Sequence, residues 1–176
     1  LPIYQLEGII DSLAEAFAGA QVVVNAAGLA APNMQDLPPL VGANALLPAV
    51  IAIAAQRTGV RRVIHLSSAA VQGPRLVLDD SEETNPFSAY SFSKALGEEA
   101  LLDLQDYFLD EHPESAPELC ILRATSVQGR GRRTTELFAK IASSPFASVA
   151  GAGTGKSPVS SVQALAEFVV MLGTFP

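Results

Sequence analysis

The chain has 176 residues, 49% hydrophobic and 16% charged, with a formal net charge of -7 at pH 7. That length and apolar content suit one domain with a substantial core and exclude a disordered chain. The acidic balance excludes a broad nucleic-acid or anionic-membrane surface, and the single cysteine, Cys120, excludes an internal disulfide and makes a reducing cytoplasm the simplest setting.

Ile9 to Phe17 reads as a short amphipathic helix closed by Gly19. Gln21 to Ala26 is a β-branched run passing into Ala27-Gly28, a strand that ends in a tight loop. Leu40 to Arg57 is a largely apolar helix stopped near Gly59. Its most apolar stretch, Ala43 to Ala55, carries Asn44 and Pro48 and is expected to be too short to span a bilayer. Val60 to Leu66 is the next strand and delivers Ser67 and Ser68 at its carboxyl end. A polar loop with Pro74, Pro86 and the acidic run Asp79 to Glu83 leads to a long helix from Ser88 to Asp110. Glu118 to Arg123 is a third strand, followed by a loop with Gly129 and Gly131. A helix over Thr134 to Ala142, a short strand over Ala147 to Ala150 and a last helix over Val162 to Leu172 complete the order.

Strands alternating with helices predict an α/β fold with a doubly wound parallel sheet and helices on both faces. In such sheets ligands bind at the carboxyl ends of the strands. Asn25 to Gly28, Ser67-Ser68 and Ala124 to Ser126 all fall at such ends.

Tyr90 and Lys94 stand four residues apart, so they share one helix face. An ammonium beside a phenol stabilises the phenolate, and a serine hydroxyl at an upstream strand end can bond the same substrate oxygen. This is equipment for moving a proton on and off an alcohol while a hydride leaves its carbon. The bland counterpart is a Tyr and a Lys on a solvated helix face. Ser67 reads as a strand-end hydrogen-bonding residue, His65 as a partly buried structural histidine, and His112 as a solvated one. Neither histidine has a partner at metal-ligand spacing, so no metal site is expected. Arg130, Arg132 and Arg133 read as a solvated loop, with a phosphate contact as the sharper alternative. Ala150 to Ser157 imitates a phosphate loop, but Pro158 follows where a helix would offer its first amides, so a plain glycine-rich loop is expected.

With these motifs in place, the chain resembles the extended short-chain dehydrogenase/reductase superfamily, in its NAD-dependent epimerase/dehydratase branch, from about Asp11 to Phe168. Asp11 to Ala27 is similar to the segment entering the family's fourth strand. Asn44 and the helix ending Gly59-Val60-Arg61-Arg62-Val63-Ile64 resemble the asparagine-headed helix before strand five. Ser67 to Gly73 resembles the catalytic-serine strand end, and Tyr90 to Lys94 the catalytic Tyr-x-x-x-Lys. The resemblance implies a Rossmann-like fold and an oxidoreductase acting on a hydroxyl or keto substrate, most plausibly a nucleotide sugar. Tyr90 would be the general acid/base, and Lys94 would lower its pKa and hold the nicotinamide ribose. Ser68 would polarise the substrate oxygen, and Asn44 would order the helix and water near the lysine. NAD, favoured over NADP, would lie along Ala26, Ala27, Gly28, Leu66, Ser67, Ala124 and Thr125 as well as Tyr90 and Lys94. Ser68, Ala69 and Ser126 would face the substrate. A homodimer through the helices near Leu46 and Leu102 is also implied.

The chain departs from the family pattern in four ways. It contains no G-x-x-G-x-x-G and no acidic residue after a second strand, Gln72 stands where a tyrosine is common, and Ser126 where sugar epimerases have an asparagine. The expectation is a partial Rossmann-like domain over 1–176, incomplete at both ends, whose stretch 124–176 opens the substrate-binding part. The alternative is a non-catalytic binding or scaffold domain retaining relic catalytic residues.

Overall fold

The structure, a computed structural model, describes residues 3–149 and 151–176, with side chains from Leu6 onward. By its internal contacts the chain divides into two units, Leu1–Arg123 and Ala124–Pro176.

In the first unit, strands β1 (Val22–Asn25), β2 (Arg62–Ser68) and β3 (Glu118–Ala124) form a sheet in that order. β1 and β2 run parallel, with Val22 opposite Arg62 and Asn25 opposite His65. Helix α1 (Ile3–Phe17) precedes β1, and each later crossover is helical. The expected parallel α/β arrangement is therefore present. Val23, Val63, Leu119 and Ile121 lie under α1, under the helix that follows β1 and under the helix that follows β2, where Ile51, Ala52, Ala55, Leu101 and Phe108 complete the core.

The crossover from β1 to β2 is one continuous helix, Leu37–Arg57, made of α2 (Leu37–Val41), a π-helical turn (Gly42–Leu46) and α3 (Leu47–Arg57). Its start at Leu37 follows from Pro38 and Pro39, which fit a first turn whose amides have no partner in any case. The π-turn has a cause in Pro48. A proline cannot donate to the carbonyl four residues back, which here belongs to Asn44, so the helix widens and Leu47 donates to Gly42 instead. The helix is thus longer than its apolar stretch. It has 21 residues, with a mean hydropathy of 1.8 over an 18-residue window, and so is long and apolar enough to cross a membrane, which corrects the expectation drawn from Ala43 to Ala55 alone. Packing accounts for part of that apolarity: Leu40, Ala52, Ala54 and Ala55 are fully buried.

After β2 a 3-10 turn (Ala69–Gln72) leads into the loop that carries the acidic run. Helix α4 (Ala89–Glu111) starts at a reciprocal cap. The Ser91 amide donates to Ser88 Oγ at 3.1 Å, and the Ser88 amide donates to Ser91 Oγ at 2.9 Å. That cap fixes the helical phase of Tyr90 two residues later.

In the second unit, β4 (Ser126–Gln128) and β5 (Val159–Ser161) pair in parallel, Ser126 opposite Val159. Helices α5 (Arg133–Ala142) and α6 (Val162–Thr174) follow their respective strands. The strand expected over Ala147 to Ala150 is not there. Residues 147–149 are irregular, and Ala150 lies outside the described residues. A short apolar run becomes a strand only when a neighbour completes its ladder. Ser126–Gln128, read as loop from the sequence, offers its edge to Val159–Ser161 instead.

Candidate active site

Tyr90, Lys94 and Glu98 recur at four-residue intervals along α4 and so form one stripe. Lys94 is buried, and its Nζ donates to the Leu66 carbonyl of β2 at 3.0 Å. Burial holds its ammonium below the ordinary lysine pKa, and the Glu98 charge works against that shift. Ser68 ends β2 and caps the 3-10 turn, its Oγ accepting from the Ala70 amide at 3.2 Å. A hydroxyl that accepts there still has its proton to give. Tyr90 is half-buried, and among the described residues its hydroxyl has no hydrogen-bond partner. The lysine-to-Leu66 bond gathers the tyrosine helix and the serine strand at the carboxyl end of β2. No direct bond joins Tyr90 to Ser68 or to Lys94.

Asn44, in the π-turn, is fully buried. Its Oδ1 accepts from the Leu29 amide at 2.9 Å, and its Nδ2 donates to the Leu29 carbonyl at 3.1 Å and to Ser93 Oγ at 3.0 Å. Ser93 in turn donates to the Tyr90 carbonyl at 2.8 Å. Asn44 therefore clamps the loop after β1 to the start of α4. Gly28 makes that clamp fit. Its φ is +153°, and a Cβ there would stand 2.9 Å from Asn44 Oδ1 and 3.3 Å from Lys94 Nζ. The close approach that requires a glycine is thus to the chain's own Asn44 and Lys94. Ala26, Ala27 and Gly28 are exposed, and the Ala27 amide is held by Asn25 Oδ1 at 3.1 Å.

Beneath this end of the sheet runs a buried polar row. His65 is wholly buried rather than partly so, with Asn25 Nδ2 donating to its Nδ1 at 3.0 Å while Nε2 has no partner. Burial, aided by the Lys94 charge, lowers its pKa to about 3, so the ring is neutral. Ser67 donates its hydroxyl to the Glu98 carboxylate. Arg123 of β3 binds the same carboxylate through Nη2 at 2.7 Å and Nε at 3.0 Å. It also donates to the carbonyls of Ser81 and Glu82 in the acidic loop. Two adjoining cavities of about 510 and 380 Å³ share Glu82, Glu98 and Leu102, and neither is lined by Tyr90, Ser68 or Lys94.

Within the second unit, Thr125 Oγ1 and Ser160 Oγ are 2.6 Å apart, and exposed Ser126 accepts from Gln128 Nε2 at 2.8 Å. Arg130, Arg132 and Arg133 are exposed, and the glycine-rich stretch ending at Ser157 is followed by β5 and not by a helix. Cys120 is half-buried, and burial together with Glu118 pushes its thiol pKa up, which disfavours the reactive thiolate. Gln72 is buried and donates to Asp79 Oδ1 at 2.8 Å and to the Asp79 carbonyl at 3.0 Å, so it holds the acidic loop.

The model of the NAD dependent epimerase/dehydratase family matches residues 9–173. The chain belongs to that family. Among curated proteins no relative is found. Similar solved structures include MoeE5 in complex with UDP-glucuronic acid and NAD, 20% identical with a TM-score of 0.76 over 95% of this chain and 57% of that one. TunA, an NAD dependent NDP-hexosamine 5,6-dehydratase, is 21% identical, TM-score 0.74, over 92% and 54%. The UDP-glucuronic acid 4-epimerase of Bacillus cereus, in complex with UDP-glucuronic acid and NAD, is 18% identical, TM-score 0.72, over 93% and 53%. The chain thus spans a little over half the length of the structures it matches, and at these identities the likeness is one of fold. It fixes the epimerase/dehydratase chain as Rossmann-like.

Glu98 and Arg123 are the polar residues of this epimerase/dehydratase chain that sequence reasoning passed over. A signal existed for both. Glu98 continues the four-residue spacing of Tyr90 and Lys94, and Arg123 is a charge at the end of an apolar strand.

Proposed function

We propose that the chain is the catalytic part of an NAD-dependent epimerase/dehydratase that oxidises and reduces a hydroxyl-bearing carbon of a nucleotide sugar. The observation that carries this reading is the Tyr90–Lys94 stripe anchored to β2 through the Leu66 carbonyl, two residues before Ser68. Tyr90 is the general acid/base: its side-chain oxygen, unpartnered and on a half-buried residue, takes the substrate proton as phenolate and returns it as phenol. The Lys94 ammonium stabilises the negative charge left on the tyrosine oxygen. Ser68 donates its remaining proton to the same substrate oxygen and orients it. The exposed backbone of Ala26, Ala27 and Gly28 and the end of β2 at Leu66 and Ser67 fit the flat, close approach of a dinucleotide, with Lys94 at its ribose. When bound, NAD supplies the site that accepts and returns the hydride. Ala69 follows Ser68 toward the sugar, and Ala124–Pro176, which carries Ser126, opens the substrate-binding part. Leu46 and Leu102, each about a third exposed, belong to a dimer-forming face.

In the full chain, Tyr90→Phe lowers turnover of a nucleotide-sugar panel (UDP-glucose, UDP-glucuronic acid, dTDP-glucose) by about 100-fold or more, with NAD affinity within about twofold of wild type. Undiminished turnover in that variant would remove Tyr90 from the chemistry.

A second reading, a non-catalytic Rossmann-like domain with relic residues, is favoured by one observation: the two cavities described in the first unit are lined by none of Tyr90, Ser68 and Lys94. Nicotinamide fluorescence decides between them: saturable NADH binding by the full chain rules out the scaffold reading, and no binding supports it.

A further inference from the structure

We infer that Glu98 is a positioning residue, holding the strand end that carries Ser68 in place against the Tyr90 face of α4 through its hydrogen bond with Ser67. The inference rests on the role proposed for Tyr90 and Ser68, and it assigns to the third member of the stripe a task distinct from theirs.

α4 is fastened to β2 at two successive residues. Lys94 donates to the Leu66 carbonyl at 3.0 Å, and one helical turn later Glu98 accepts from the Ser67 hydroxyl. The next residue is Ser68, and one turn before Lys94 stands Tyr90. A helix and a strand joined at one point can pivot about it, whereas two points fix both their spacing and their angle. The Lys94 bond alone is a long, flexible arm ending on a backbone carbonyl. The Ser67–Glu98 bond is charge-assisted, and both partners are buried, at 6% and 2% exposure.

A carboxylate so deeply buried is costly unless its charge is matched and its lone pairs are filled. Here Arg123 supplies both, with Nε and Nη2 on the same carboxylate. The remaining donors of Arg123 grip the Ser81 and Glu82 carbonyls, so the carboxylate cannot follow its guanidinium away from Ser67 without moving the acidic loop. A buried ion pair contributes little net stability as a rule. What this one contributes is a fixed oxygen beneath Ser67. Glu98 is well placed for that and for nothing catalytic, since Ser67 and Arg123 occupy its oxygens.

The test uses Ser67→Ala, which removes the bond yet leaves the Glu98–Arg123 pair, and Glu98→Asp, which keeps the charge but shortens the reach. Both are made in the full chain, with Tyr90→Phe alongside. Crystal structures with NAD are expected to show Ser68 and Tyr90 displaced relative to one another in Ser67→Ala, with Lys94 still on the Leu66 carbonyl. Turnover of the panel sugar that wild type accepts falls by about tenfold at saturating NAD, because alignment is lost. The Ser67→Ala/Glu98→Asp double variant loses less than the sum of the two single losses, as expected of residues that share one bond. An unchanged Ser68–Tyr90 spacing in the Ser67→Ala crystal overturns the inference, whatever the turnover. Turnover lost in Tyr90→Phe but intact in Ser67→Ala overturns it too and spares the acid/base role. Turnover intact in Tyr90→Phe defeats that role instead.

Discussion

Gly97 of α4 lies against the backbone carbonyl of Asn44, the carbonyl that Pro48 leaves without its helical donor. A Cβ at Gly97 would run into that oxygen and come within 3.2 Å of the Ala45 Cα. The widened turn and the bare glycine are therefore complementary, and they bring α4 close enough for Ser93 and Lys94 to reach their partners. Alanine normally favours a helix over glycine by about 1 kcal/mol. At this position the overlap reverses the sign, and Gly97→Ala is expected to destabilise by about 1–3 kcal/mol. Urea unfolding of wild type and variant measures it, and a stabilised variant would show that the helices can move apart freely.

The loop after β1 depends on Asn44. Asn44→Ala removes the bonds to the Leu29 amide, the Leu29 carbonyl and Ser93 and leaves buried groups unsatisfied. The expected loss is about 2–4 kcal/mol. Hydrogen exchange localises it: the Leu29 amide should lose protection selectively, ahead of the β2 amides. If Leu29 exchanges as in wild type, another contact holds the loop.

His65 makes stability depend on acid. The unfolded chain takes up a proton near pH 6.5, whereas the buried ring, at about 3, does not. The depressed folded pKa means that stability is full above pH 6.5 and is lost as pH falls toward 3, by up to about 1.4 kcal/mol for each pH unit. His65→Gln keeps an acceptor for Asn25 without a titrating ring. Its stability difference between pH 7 and pH 5 should be smaller than that of wild type by about one proton's worth of slope. Equal slopes in the two proteins would assign the acid sensitivity to other groups.

Much of this site was legible along the chain because its parts are local. Tyr90 and Lys94 share a helix face by spacing alone, the Ser88 cap sets where that helix begins, and the β-branched run before Ser67 and Ser68 dictates a strand ending in hydroxyls. Other features were not legible. Gly28 reads as a turn glycine, but its neighbours are Asn44 and Lys94, 16 and 66 residues further on by their numbers. Ser126–Gln128 is too short and too polar to announce a strand, and only Val159–Ser161 makes it one. Pro48 lies inside the helix read from Leu40 to Arg57, but the widened turn that accommodates it is not written in the local pattern.

The sequence by itself determined the alternation of strands and helices, the polar strand ends and the Tyr90–Lys94 face, since periodicity, caps and branched side chains act over a few residues. The tertiary structure alone decided which buried polar groups meet: Ser67 with Glu98, Glu98 with Arg123, Asn44 with Leu29, and His65 with Asn25. The reason is desolvation. A polar group taken from water must find its partner wherever the packed fold places one, and that distance in space has no counterpart in distance along the chain.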